Sequence, residues 1–242
     1  MRFFKHAFAI AGLSLGLVAV SASASPTNPV AGKEYTVLQT PQTTTATGNK
    51  VEITEFFGYF CPHCSALDPS LEKWIAAQGD KIVVKRIPVA FGPQPAYVAQ
   101  QKLYFTLEGL NLVSTLHPKV FEAMHGSARL RLDNEKDITA WAVKQGVDAK
   151  KFADMYNSFG VASKATAATK AQNDYKIDGV PTLAVDGRFI TSPSIVGATM
   201  AGAKEPELFA ATLQTMDSLI AKVAAEKAKT AAPAAVTPAK KK

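Results

Sequence analysis

The chain has 242 residues, with 27 Lys or Arg against 20 Asp or Glu and a formal net charge of +7. Apolar residues make up 47%, which excludes wholesale disorder and suffices for one sizeable core or a core with an insertion. The basic excess sits at the ends: Arg2 and Lys5 precede Ser25, and five lysines against Glu226 alone follow Ala224. The body between is near neutral and offers no basic face for nucleic acid.

Arg2, Lys5 and His6 open the chain, Ala7 to Val20 is apolar, and Ala22-Ser23-Ala24 supplies an A-x-A signal. That order predicts a secretory leader cleaved after Ala24. The apolar run falls short of the roughly 20 residues a spanning helix needs, so a soluble exported protein is expected. Exported compartments permit disulfides.

Residues 25–50 are rich in Pro, Thr, Gly and Gln, with one short strand predicted at Glu34–Gln39. A stronger strand, Val51–Phe57, runs through Gly58-Tyr59-Phe60 into Cys61-Pro62-His63-Cys64. A helix begins at that motif, with Leu67, Leu71, Trp74 and Ile75 at helical spacing. Lys81–Val89 reads as a buried strand. Strand, helix and strand in that order predict a parallel crossover unit.

From Pro95 to about Lys176 the patterns are helical. Asp133 is the expected N-cap of Asn134–Gln145, which turns Ile138, Trp141 and Ala142 inward and ends before Gly146. Asp148 is expected to cap a short helix holding Phe152 and Tyr156, and Val161–Ile177 reads as a long, largely exposed helix. Strand signals return at Pro181, where Leu183–Val185 and Arg188–Ile190 flank the hairpin dipeptide Asp186-Gly187. A last helix opens at Pro206, and from about Ala225 a mobile basic tail is expected. A helical block inserted into one α/β domain explains this order. The expected units are a leader at 1–24, an α/β part at 25–93, a helical insertion at 94–168, the rest of the α/β domain at 169–224, and a tail at 225–242.

Two cysteines three residues apart make a poor structural staple, because so small a loop removes little unfolded-state entropy. Reactivity is the better reason for them. At a helix's first turn, Cys61 meets unpaired N–H groups and the positive end of the dipole, which favour thiolate. Pro62 is tolerated there because its missing N–H has no intrahelical partner. His63 adds a donor and, when protonated, a positive charge. Stabilising the reduced form makes the disulfide an oxidant. Cys64, further into the helix, is the expected resolving thiol. A zinc site needs four ligands, and His63, His117 and His125 lie at unsuitable spacings. Haem attachment wants His after the second cysteine, where Ser65 stands.

Val51, Ile53, Glu55 and Phe57 share one strand face. A carboxylate there either points to solvent from the strand end or is buried with a task. In the second case Lys85, inside the run Ile82–Ile87, is the expected partner, and Glu55 would relay protons for Cys64. Val180-Pro181 precedes a strand, where either peptide isomer is open.

The run Glu55-Phe56-Phe57-Gly58-Tyr59-Phe60-Cys61-Pro62-His63-Cys64 resembles the DsbA family of bacterial periplasmic thiol–disulfide oxidoreductases. Trp141 to Tyr156 and Gly179-Val180-Pro181 extend the likeness, which covers Glu34-Tyr35-Thr36 to the last helix. The resemblance implies a thioredoxin fold interrupted by an inserted all-helical domain. It implies Cys61 as exposed nucleophile, Cys64 as resolving thiol, His63 as stabiliser of the thiolate, a Glu55–Lys85 buried pair, and a cis Val180-Pro181 facing the disulfide. It also implies a periplasmic monomer with no cofactor beyond the Cys61–Cys64 disulfide, folding secreted polypeptides as substrates, and a membrane quinone-linked oxidase of the DsbB type. The tail and Gly92–Gln100 depart from the family and bear on substrate range. A disulfide isomerase or reductase, or a peptide-binding chaperone on the same scaffold, remains the alternative. The short segment between Ser25 and Lys50 leaves no room for an isomerase's dimerisation domain and favours the oxidase.

Overall fold

The run Val51–Phe57 forms β2, and all seven of its residues are buried. The reason is its place in the sheet. In the computed structural model, which describes residues 25–92 and 94–231, the strand order is β1-β5-β4-β2-β3. The strands are β1 (Thr36–Val37), β2, β3 (Ile82–Pro88), β4 (Thr182–Val185) and β5 (Phe189–Thr191). β2 pairs parallel with β3, from Val51 opposite Ile82 to Phe57 opposite Pro88, and antiparallel with β4. β5 continues antiparallel from β4, and β1 from β5. The proposed leader and residues 232–242 lie outside the described residues.

Helices cover both faces. Helix α1 (Pro62–Gln78) and α8 (Glu205–Ala231) bury Leu67, Leu71, Phe209, Met216 and Leu219 against Val51 and Ile53 of β2 and Leu183 and Val185 of β4. The opposite face, with Phe56, Ile87, Ala184 and Ile190, joins the core of the helical insertion. Alternation along each strand makes this division, since residues two apart share a face.

The insertion between β3 and β4 consists of α2 (Pro95–Gly109), α3 (Val113–His125), α4 (Glu135–Lys144), α5 (Ala149–Tyr156) and α6 (Phe159–Asp174). Leu103, Leu107, Val120, Leu132, Ile138 and Phe152 are among its fully buried side chains. α6 buries a single stripe, Val161, Ala165, Ala168 and Gln172, as an amphipathic surface helix does. It runs unbroken through residue 168, and the Gln172 side chain accepts from the Ala90 N–H (3.0 Å) just past β3. This is the mixed-sheet, thioredoxin-like arrangement with a helical insertion that the element order predicts.

The hairpin forms at Asp186-Gly187, both with positive φ (53° and 66°). Gly187 is required twice over, because a Cβ there would lie 2.2 Å from the Gln42 carbonyl oxygen. Asp148 caps α5 through the Lys151 N–H (2.8 Å) as expected.

Two expectations need correction. The N-cap of α4 is Asn134, which accepts from the Asp137 N–H (3.0 Å), whereas Asp133 is engaged by Arg131. One residue of slip moves the cap because both side chains are competent acceptors. The basic tail also does not begin at Ala225. α8 continues to Ala231, and Glu226 pairs with Arg188 (2.7 Å) while Lys227 pairs with Asp186 (2.8 Å). Its Ala, Glu and Lys residues are strong helix formers, and these pairs tie the last turns to the β4–β5 turn.

Candidate redox-active site

β2 delivers the chain to the edge of the core, where the Cys61 N–H bonds back to the Gly58 carbonyl (3.0 Å). Cys61 is the N-cap of α1 and Pro62 occupies the first turn. The Cys61 sulfur accepts from the Cys64 N–H (3.3 Å) and donates to the Val180 carbonyl (3.4 Å). Val180-Pro181 is cis. Both cysteines are free thiols and both are buried, Cys61 6% and Cys64 1% exposed. Cys61 is therefore not the exposed nucleophile that the resemblance implies but is covered by the neighbouring Val180 segment.

The two sulfurs differ in acidity. The Cys64 thiol, donating to Cys61, does most to lower the Cys61 pKa to about 7 against the opposing effect of burial. The Cys64 and His63 N–H groups and then the His63 charge lower it further. The helix N-terminus therefore does more than the imidazole. His63 is exposed, and its Nδ1 lies 2.5 Å from Glu205 Oε1 at the start of α8. That hydrogen bond holds the His63 pKa above its ordinary value. Cys64 is pushed the other way, first by burial and then by its bond and charge interaction with Cys61. One sulfur is poised as thiolate, the other as thiol.

Glu55 is buried beneath them, 2% exposed. Its partner is Arg86, whose Nε donates to Oε2 at 2.9 Å, and not Lys85. The register decides this. Glu55 stands opposite Arg86 in the β2–β3 ladder, whereas Lys85 stands opposite Thr54 and so faces the other side of the sheet, exposed. Arg86 also binds Glu72 of α1. Burial raises the Glu55 pKa more than Arg86 lowers it.

Sequence reasoning considered His117 only as a metal ligand and overlooked Asp68 and Tyr59. The structure brings them together: His117 Nε2 lies 3.3 Å from Asp68 Oδ1, and His117 Nδ1 lies 2.8 Å from the Tyr59 hydroxyl. The available signal was Asp68, one helical turn after Cys64 on the same face of α1. Nothing local in the sequence points to His117.

Beside Cys61 a cleft of about 760 Å³ is lined by His63, Val180, Pro181, Ile195, Leu208 and Phe209, among others. On the other side, Phe60 packs on Tyr97 (4.3 Å between centroids) and Phe91 (6.2 Å). Cys61 thus sits, buried, between an apolar cleft and an aromatic cluster.

Comparisons with known proteins agree with this geometry. The family model of the DSBA-like thioredoxin domain matches residues 52–214. The chain is 41% identical over 182 residues to the thiol:disulfide interchange protein DsbA of Burkholderia cepacia, covering 75% of this chain and 84% of that one. It is 38% identical over 193 residues to the DsbA of Bordetella parapertussis, covering 79% and 90%. Among solved structures, Pseudomonas aeruginosa DsbA superposes with a TM-score of 0.71 at 30% identity, covering 83% of this chain and 96% of that one. The oxidoreductase DsbA of Xylella fastidiosa gives 0.70 at 25% identity, covering 81% and 98%. With a motif-bearing helix on a thioredoxin-like sheet and relatives at this level, the chain belongs to the DsbA-like family and is a thiol:disulfide oxidoreductase.

Proposed function

We propose that the chain oxidises cysteine pairs in polypeptides newly exported to the periplasm, its leader being removed after Ala24. A substrate thiolate attacks the Cys61 sulfur of the Cys61–Cys64 disulfide. The S–S bond breaks, Cys64 departs with the electron pair, and a mixed disulfide joins Cys61 to the substrate. A second substrate thiolate then attacks the substrate sulfur and expels Cys61 as thiolate. The substrate loses two electrons to form its disulfide, and the protein gains them as a dithiol. The observation that carries this reading is the placement of Cys61 at the N-cap of α1, its sulfur accepting the Cys64 N–H (3.3 Å) and facing the cis Val180-Pro181 pair, in a chain of the DsbA-like family. A stabilised Cys61 thiolate is a good leaving group, which drives release of the oxidised substrate.

Pro62 and His63 support the thiolate at the helix start. Glu55, its pKa raised by burial and its carboxyl held by Arg86, is the group that passes a proton to the departing Cys64; Lys85 has no part in this. The Val180 backbone and the apolar cleft beside it receive an extended segment around the substrate cysteine. The reaction needs no cofactor other than the cysteine pair. A membrane quinone-linked oxidase of the DsbB type restores the disulfide, and the protein works as a monomer. The helical insertion is taken as 94–168, the span the sequence predicts, with the last turns of α6 to Asp174 leading back to the sheet.

Cys61 alkylation titrated against pH, together with the redox equilibrium against glutathione, tests this reading. A depressed thiolate pKa with an oxidising equilibrium supports it. An equilibrium as reducing as that of thioredoxin would make the protein a reductase, and full biological activity in Cys61→Ser would make it a binding module.

A further inference from the structure

His117 and Asp68 are the buried titratable groups that the reaction above leaves unused. His117 is 2% exposed and Asp68 4%. Their facing atoms, Nε2 and Oδ1, have no directed hydrogen bond among the described residues. Aromatic rings surround the imidazole, with Phe57 at 5.1 Å, Phe121 at 5.0 Å and Tyr104 at 5.9 Å between centroids. Two ionisable groups in such surroundings are costly unless paired, and here each is the other's partner at 3.3 Å.

Their position suggests a task. Phe57 lies two residues after Glu55 on β2, so the ring that packs on His117 shares its strand face with Glu55. Asp68 lies one turn of α1 beyond Cys64. Near Glu55 a protonated His117 would favour the carboxylate and an Asp68 carboxylate would disfavour it, so the two would bear on its proton in opposite senses. The other groups around His117 are Tyr59 from the loop after β2, Tyr104 from α2, and Glu55 from β2 with Arg86 beyond it on β3. His125, on α3 like His117, is occupied by the Tyr59 carbonyl (2.7 Å). A surface cleft between α1 and α3, lined by Ser65, Asp68, Pro118, Lys119 and Glu122, brings Asp68 to the edge of solvent.

We propose that His117 and Asp68 are positioning residues for the resolving half of the reaction, which together set how readily Glu55 gives up and regains the proton used by Cys64. This rests on the reading of Glu55 as the proton partner of Cys64. In that step the Cys64 thiolate takes the proton of the Glu55 carboxylic acid, leaving thiol and carboxylate, and the carboxylate is reprotonated from solvent. One member of the pair comes from the redox helix and the other from the helical insertion. The insertion therefore bears on the chemistry through His117 as well as through any substrate it contacts.

The test uses the full-length mature protein with His117→Gln, Asp68→Asn, the double variant, and Glu55→Gln. The readouts are the pH profile of mixed-disulfide formation with a cysteine peptide and the infrared carbonyl band of Glu55. His117→Gln should move the Glu55 midpoint up and Asp68→Asn should move it down, each by about one pH unit, or about tenfold in rate on the sloping limb. The double variant should return near the parent. Shifts in the same direction, or none, overturn the proposal, since a merely structural role would not give opposite signs. If one single variant does not fold, the other still decides, because the midpoint of its Glu55 carbonyl band must move in its own direction and an unmoved midpoint overturns the proposal. A rate profile unchanged in Glu55→Gln would overturn both the Glu55 reading and the proposal, while opposite shifts failing beside an altered Glu55→Gln profile would overturn only the latter.

Discussion

A thiol held at about 7 in the folded protein, against an ordinary value of 9.0, makes the stability of the dithiol form depend on pH. The folded-state pKa is depressed, so this stabilisation is complete above the unfolded value and is lost as pH falls through the folded one. Two units correspond to about 2.7 kcal/mol at 1.36 kcal/mol each. Between pH 7 and 9 titration is incomplete at both ends, so the part gained in that window is about 2 kcal/mol. Cys64, whose pKa is raised, adds no slope below the unfolded thiol value. The disulfide form lacks both groups and serves as the reference. Urea unfolding of the two forms from pH 5 to 9 should therefore show the dithiol form gaining about 2 kcal/mol relative to the disulfide form between pH 7 and 9. Below about pH 6 the difference should be flat. A difference constant across the whole range would refute the assignment of Cys61 as the stabilised thiolate.

Three further outcomes are expected. Arg86→Met strands Glu55 and should destabilise the protein by about 3 kcal/mol in chemical unfolding, whereas Lys85→Met should change it by less than about 0.5 kcal/mol; equal effects would contradict the observed pairing. Removing residues after Ala224 should cost about 1–2 kcal/mol, because it takes away the Glu226–Arg188 and Lys227–Asp186 pairs and the last helical turns; an unchanged unfolding midpoint would mean those turns are not anchored. Glu205→Gln should lower the His63 pKa towards its ordinary value, since the Glu205 hydrogen bond is what raises it, and imidazole NMR across pH 5–9 would show the shift.

Much of the fold could be read from local pattern. The β-rich run Val51–Phe57 and the Asp186-Gly187 turn each announce one element through short-range chemistry, and the structure places them within a residue or two, whereas the helix read as Val161–Ile177 ends at Asp174. The cap at Asn134 and the end of α8 were less legible. Adjacent Asp133 and Asn134 are equally good caps, and the segment after Ala225 has a composition that suits a tail as well as a helix. In the second case tertiary ion pairs to the β4–β5 turn make the difference.

The reactive centre divides along the same line. Cysteines at i and i+3, a proline in the first turn and a strand leading into them are all local, so the sequence alone determined where the chemistry lies and why Cys61 is favoured as thiolate. What surrounds the pair was decided by tertiary structure. Strand register turned Arg86, and not Lys85, towards Glu55, because a shift of one residue changes the face of the sheet. Helix packing brought His117 of the insertion against Asp68 of the redox helix, 49 positions away, and Val180 against Cys61 across 119. No local pattern encodes such distances. They follow from how the layers pack, and it is this packing that gives two neighbouring cysteines opposite acidities.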